Sequence, residues 1–145
     1  MNVAQDRDIT AILPRYTENG DSTVIVDTAG QEKIYPVGHK TILTHIADRQ
    51  CKDLRLLRKW TREYTGQQFW IPLGFSWELV LMPIPVREAK IKGDATVGYV
   101  NFANIESIQK TDKTGSVVME NGIKIPTTWG IGTVQKHLKD AMLVH

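Results

Sequence analysis

In the first part of the chain, apolar positions alternate with polar ones and stop at turn residues. Ile9 to Leu13 ends at Pro14, and Thr17-Glu18-Asn19-Gly20-Asp21 is a turn cluster whose Asn-Gly pair supplies the positive φ of a tight hairpin. Thr23 to Val26 is β-branched and runs into Ala29-Gly30, and Lys33-Ile34-Tyr35 alternates as far as Pro36. The pattern predicts three short strands in a meander. The period then lengthens. Ile42, Leu43 and Ile46 fall on one face of a short amphipathic helix that starts near Lys40-Thr41, and Leu54, Leu57 and Tyr64 continue helical spacing with basic residues between them.

Gly66 interrupts this helical pattern, and the stretch to Gly74 reads as a loop or irregular strand rich in aromatics. Trp77 to Met82 is apolar except for Glu78, and Pro83 and Pro85 keep it from being a helix interior, so a strand is predicted. Val97 to Phe102, Ile105 to Gln109, Ser116 to Glu120 and Ile123 to Pro126 read as four more strands. Asn121-Gly122 is a strong hairpin signal between the last two. A helix from about Thr133 to Leu143 closes the pattern, with Val134, Leu138, Ala141 and Met142 on one side. The expected class is mainly β, or α+β: one antiparallel domain over residues 1–145, built of short strands with two or three short helices.

Composition agrees with a globular chain. The sequence has 145 residues, 41% hydrophobic and 23% charged, about one domain's worth with enough length for a core of its own. It contains no run of about 18 apolar residues, and Met1-Asn2-Val3-Ala4-Gln5-Asp6 lacks the apolar centre of a signal peptide. A cytoplasmic protein without membrane contact is expected. Its one cysteine, Cys51, excludes an internal disulfide framework and any multi-cysteine zinc site.

The net charge of +2 is small, but the cations are unevenly placed. Arg49, Lys52, Arg55, Arg58, Lys59 and Arg62 form one cluster against Asp53 alone, and Arg87, Lys90 and Lys92 form a second beside Glu88. Two basic stretches on a nearly neutral chain suggest one positive face fit for a polyanion; solvated loops and a solvated helix face are the alternative.

Catalytic chemistry finds little support. His39, His45, His137 and His145 show neither His-x-x-x-His nor His-Glu-x-x-His spacing, and no metal or cofactor is expected. Cys51 lies among cations that could lower its pKa, but a small buried thiol is the preferred reading. Gly130-Ile131-Gly132 precedes a helix, yet it completes neither phosphate-loop pattern and reads as a turn from strand into helix. The expectation is a protein with no catalytic residues.

Three patterns carry a family resemblance: Ala11-Ile12-Leu13-Pro14, Asp48-Arg49-Gln50-Cys51, and the block from Gly98-Tyr99-Val100-Asn101 through Met119-Glu120-Asn121-Gly122-Ile123-Lys124-Ile125-Pro126. In this order and spacing, over roughly residues 9–137, they resemble the ComK family of competence transcription factors of Gram-positive bacteria. The last block is also similar to the ending of LytTR DNA-binding domains, and relative to those residues 49–75 would be a basic, aromatic-rich insertion. The resemblance implies sequence-specific binding of double-stranded promoter DNA by a homodimer or higher homo-oligomer. ComK is associated with A/T-rich boxes approached from the minor groove, and LytTR domains set loops into the major groove.

On this likeness, Arg55, Arg58, Lys59 and Arg62 would enter a narrow minor groove or contact phosphates, with Arg49 and Lys52 beside them. Lys90, Lys92 and Thr96, with Arg87 nearby, precede a strand where LytTR domains carry a DNA-contacting loop, and Arg15 corresponds to another such loop. One departure stands out. Thr127-Thr128-Trp129-Gly130 occupies the place where LytTR domains often carry a DNA-contacting arginine. The aromatics Trp60, Tyr64, Phe69, Trp70, Phe75 and Trp77 either stack on unpaired bases or fill a core or subunit contact. The rival expectation is a phage- or plasmid-type module that uses a regulator-like fold to dock on another protein or a ribonucleoprotein.

Overall fold

The computed structural model describes residues 6–18, 20–88 and 93–145. β1 (Ile9–Thr17), β2 (Gly20–Asp27) and β3 (Glu32–Tyr35) form the meander, antiparallel and in sequence order. Asp27 closes the second turn by accepting hydrogen bonds from the Ala29 and Gln31 amides, each at 2.9 Å. β1 does not end at Pro14, and the sheet supplies the reason. Its other neighbour, β6 (Val97–Asn101), pairs with it only at Ala11 and Ile12. Counting back from the hairpin, the ladder's alternation turns the N–H that Pro14 lacks toward that open side, where no bond is lost. A bulge between Ile9 and Ala11 also brings Ile9 and Ile12 to the same face.

Helices α1 (His39–Arg49) and α2 (Leu54–Thr65) come next. Asp53 caps α2 by accepting from the Leu56 amide at 3.1 Å, and Gly66 ends it with φ at +74°. The run from Trp77 to Met82 is not one strand. β4 (Leu73–Ser76) and β5 (Leu79–Pro85) are the arms of a hairpin that turns at Trp77-Glu78 and leaves Trp77 77% exposed. β5 then continues through Pro83 and Pro85. Both prolines pair with β6 on one side, and β4 stops pairing at Leu81 on the other. The physics is that of Pro14.

Among the described residues, nine strands and three α-helices make an antiparallel, β-rich α+β fold. One sheet has six strands in the order β3-β2-β1-β6-β5-β4. The second contains β7 (Ile105–Thr111), β8 (Thr114–Met119) and β9 (Lys124–Pro126). α3 (Ile131–Val144) follows. The larger sheet is buried on both faces, which explains why β5 is apolar without alternation. Leu79, Leu81, Ile12 and Tyr99 pack with Ile42, Leu43 and Ile46 of α1. On the opposite face Val80, Met82, Ile84 and Val100 pack with Val117, Met119 and Ile125 of the second sheet and with Val134 and Ala141 of α3.

Two residues of β6 hold this arrangement. Asn101 is fully buried; the two N–H groups of its Nδ2 are shared among Ile9 O, Glu78 O and Asn104 Oδ1 at 2.8–2.9 Å, and its Oδ1 accepts from the Val80 and Ala103 amides at 3.2 Å. Gly98 leaves no room for a side chain: a Cβ there would lie 2.9 Å from both Leu13 Cδ2 and Val86 Cγ1. Gly98→Ala should therefore cost about 1–3 kcal/mol through overpacking. Urea unfolding measures this, and an unchanged midpoint would mean that Leu13 and Val86 move aside freely.

Candidate nucleic-acid interface

Helix α2 presents three different stripes because residues three and four apart share a face. Leu54, Leu57 and the fully buried Thr61 face the protein, and Thr61 satisfies its hydroxyl on Leu57 O at 2.9 Å. Arg55, Arg58, Lys59 and Arg62 lie along one flank. Leu56, Trp60 and Tyr64 lie along the other, each more than half exposed, with the Trp60 and Tyr64 rings stacked 5.0 Å apart. Among the described residues, none of the four flank cations is in an ion pair. Lys52, just before the Asp53 cap, is exposed as well.

The cationic flank borders an open groove of about 270 Å³. Arg58 and Arg62 border it, Ile71, Pro83, Val97 and Tyr99 form its floor, and Phe69 and Trp70 also line it; Arg62 Nε donates to Gln68 O at 3.4 Å, so the cationic flank adjoins the 67–70 turn. Burial pushes the Tyr99 phenol above its ordinary value, and the adjacent Arg58 guanidinium opposes that rise. His39 packs against Tyr99 with ring centroids 5.6 Å apart. Burial holds the His39 imidazole below its ordinary pKa; Lys40 and Arg58 push the same way, and Asp21 opposes them. His39 thus feels charges from both α2 and the β1–β2 hairpin.

The remaining sequence candidates are placed differently. Arg15 makes a two-pronged contact to Glu32 at 2.8 and 3.2 Å, and Arg49 grips the buried carboxylate of Asp6 at 2.9 Å. Arg87 pairs with Asp21 at 2.6 Å, lies over the Tyr16 ring at 3.9 Å and donates to Ala95 O. Each of these three charges is therefore already matched within the chain. Thr96 is half-buried, with its carbonyl accepting from the Val86 amide. Lys90 and Lys92 lie outside the described residues. Cys51, expected as a buried thiol, is exposed, because it sits in the α1–α2 turn with φ at +56°.

Phe69 and Trp70 stand among the aromatics singled out in the sequence, but the sequence does not show the backbone that sets them. Trp70 holds φ at +57°, a left-handed conformation that costs a bulky residue about 1–3 kcal/mol unless its surroundings fix it. Here they do. Trp70 packs edge-on against Trp129 at 4.9 Å, and Gln67 Nε2 donates to Phe69 O at 2.8 Å and to His137 Nδ1 at 3.2 Å. His137 in turn stacks on Trp129 at 4.3 Å. The outcome is a Phe69 ring turned outward and 77% exposed. No local signal in the sequence announces a left-handed tryptophan.

His137 makes the 67–70 turn sensitive to acid. With Gln67 donating, Nδ1 must keep its lone pair, and burial holds the imidazole below its ordinary 6.5, with Asp140 opposing and Lys136 reinforcing. The unfolded chain therefore takes up a proton that the folded chain refuses. Stability is at its full value above about pH 6.5 and is lost as pH falls below it toward the folded value. Denaturation midpoints should drop between pH 7 and pH 5, less steeply in His137→Gln. Parallel curves would remove His137 from the explanation and leave His39.

Among the described residues, no helix is long and apolar enough to cross a membrane, and no group of three or more His, Cys, Asp or Glu side chains could hold a metal ion. Comparison of the chain with family models, with curated proteins and with solved structures gave no match.

Proposed function

We propose that this chain is a DNA-binding transcriptional regulator of ComK or LytTR type that captures A/T-rich promoter DNA, working in the bacterial cytoplasm as a homodimer or higher homo-oligomer. The observation that carries this reading is the flank of α2, where Arg55, Arg58, Lys59 and Arg62 stand without an acidic partner among the described residues. Unpaired cations spaced along one helix match successive phosphates, and their release of counterions would supply most of the affinity. Arg58 at the groove edge is suited to probing a narrow minor groove, where negative potential is concentrated.

A second reading has its own support. The exposed Leu56, Trp60 and Tyr64 stripe favours a protein-binding module, since large apolar side chains in a row on a helix suit a protein contact better than phosphates. A gel shift separates the two. DNA binding requires a shift with A/T-rich duplex at low salt that a G/C-rich control reproduces only weakly. Absence of any shift, with recovery of one specific protein in a pull-down, favours the module.

A further inference from the structure

The geometry points to a small-ligand site in the α2 groove that takes a nucleoside monophosphate, a planar ring bearing a doubly charged phosphate. The cleft of about 270 Å³ lies just under the usual range for small-ligand sites, about 300–1,000 Å³. Its lining combines two chemistries. The Arg58 and Arg62 guanidiniums, one helical turn apart, offer two positive charges and several N–H donors to one phosphate. Next to Gln68, whose carbonyl accepts from Arg62 Nε at 3.4 Å, Phe69 presents its ring to solvent at 77% exposure beside an apolar floor that includes Tyr99.

The exposure of Phe69 is built into the fold. The left-handed backbone at Trp70 and the Gln67 side chain, bonded both to Phe69 O and to His137, hold the 67–70 turn with that ring outward. Gln68, which also lines the groove, carries an amide that can both donate to and accept from a base edge. The backbone that seats Trp70 against Trp129 leaves the neighbouring Phe69 ring in water, and stacking with a ligand ring gives that ring a use. An occupied groove would also withdraw Arg58 and Arg62 from any polyanion, so the ligand would act as an effector that releases DNA.

The site is tested without DNA, so its outcome is independent of the proposed function. Calorimetric titration of the full chain at low salt uses AMP, CMP, inorganic phosphate and adenosine as probes. AMP should bind about tenfold or more tighter than either phosphate or adenosine alone, because only it engages both the arginines and the Phe69 ring. Phe69→Ala and Arg62→Ala, both at exposed positions, should each weaken AMP binding about tenfold while circular dichroism stays unchanged. AMP no tighter than inorganic phosphate would reduce the groove to a general anion patch and overturn the proposal. Unaltered AMP binding in both variants would also overturn it.

Discussion

Reversing two charges together, Arg58→Glu with Lys59→Glu, should weaken binding to a short A/T-rich duplex by about a hundredfold at low salt. At 4 Å in water one unit-charge contact is worth about 1 kcal/mol, and reversal replaces attraction with repulsion, so each site loses about 2 kcal/mol before screening. The salt dependence changes too. Each phosphate contact contributes about 0.9 to the slope of log K against log salt, so losing two should flatten that slope by about two. Fluorescence anisotropy across about 50–200 mM salt reads both quantities. A control with the same charge change at two exposed lysines of the second sheet, Lys110→Glu with Lys124→Glu, should stay close to wild type. If both double variants lose affinity equally, net charge governs binding and the α2 flank has no special part.

Removing Asn101 should be the most damaging single change to the fold. Asn101→Ala deletes the partner of two backbone carbonyls, Ile9 O and Glu78 O, and of two amides, Val80 and Ala103, around a side chain with no solvent exposure. A buried backbone group without a partner costs about 1–3 kcal/mol, so a total of about 3–5 kcal/mol is expected after partial relaxation. For a chain of this size that lowers the melting temperature by about 10–20 °C. Chemical denaturation of Asn101→Ala measures it directly; a loss below about 1 kcal/mol would mean that water replaces the amide at the seam. The position matters because β6 delivers Tyr99 to the groove floor two residues earlier.

The α2 cations and Asn101 differ in how far the sequence discloses them. The β1–β3 meander, the helices and the hairpin at Asn121-Gly122 were legible because their signals are local: alternation, helical spacing, and turn residues such as Gly122 with φ at +89°. Pro83 and Pro85 correctly excluded a helix, but the strands expected to end at Pro14 and at Met82 run on through their prolines, because a proline's cost depends on which neighbouring strand is present, which is decided by residues far away. The same distinction governs the site. The α2 cations could be read from spacing alone, since their neighbours are their own helix. Arg15, Arg49 and Arg87 looked equivalent to them, but their carboxylates lie 17, 43 and 66 residues away in sequence. Asn101, visible only as part of a family-like motif, proves to be the hydrogen-bonding hub where the chain leaves the larger sheet.

The most direct measurement is a map of backbone amide NMR shifts when an A/T-rich duplex is added to the isotope-labelled chain at low salt. The largest changes should fall on α2, on His39 at the start of α1, and on Val97 and Tyr99 of the groove floor, and should fade as salt is raised. Shifts centred on β7, β8 and β9, or none at low salt, would contradict a cationic α2 flank as the surface that meets DNA.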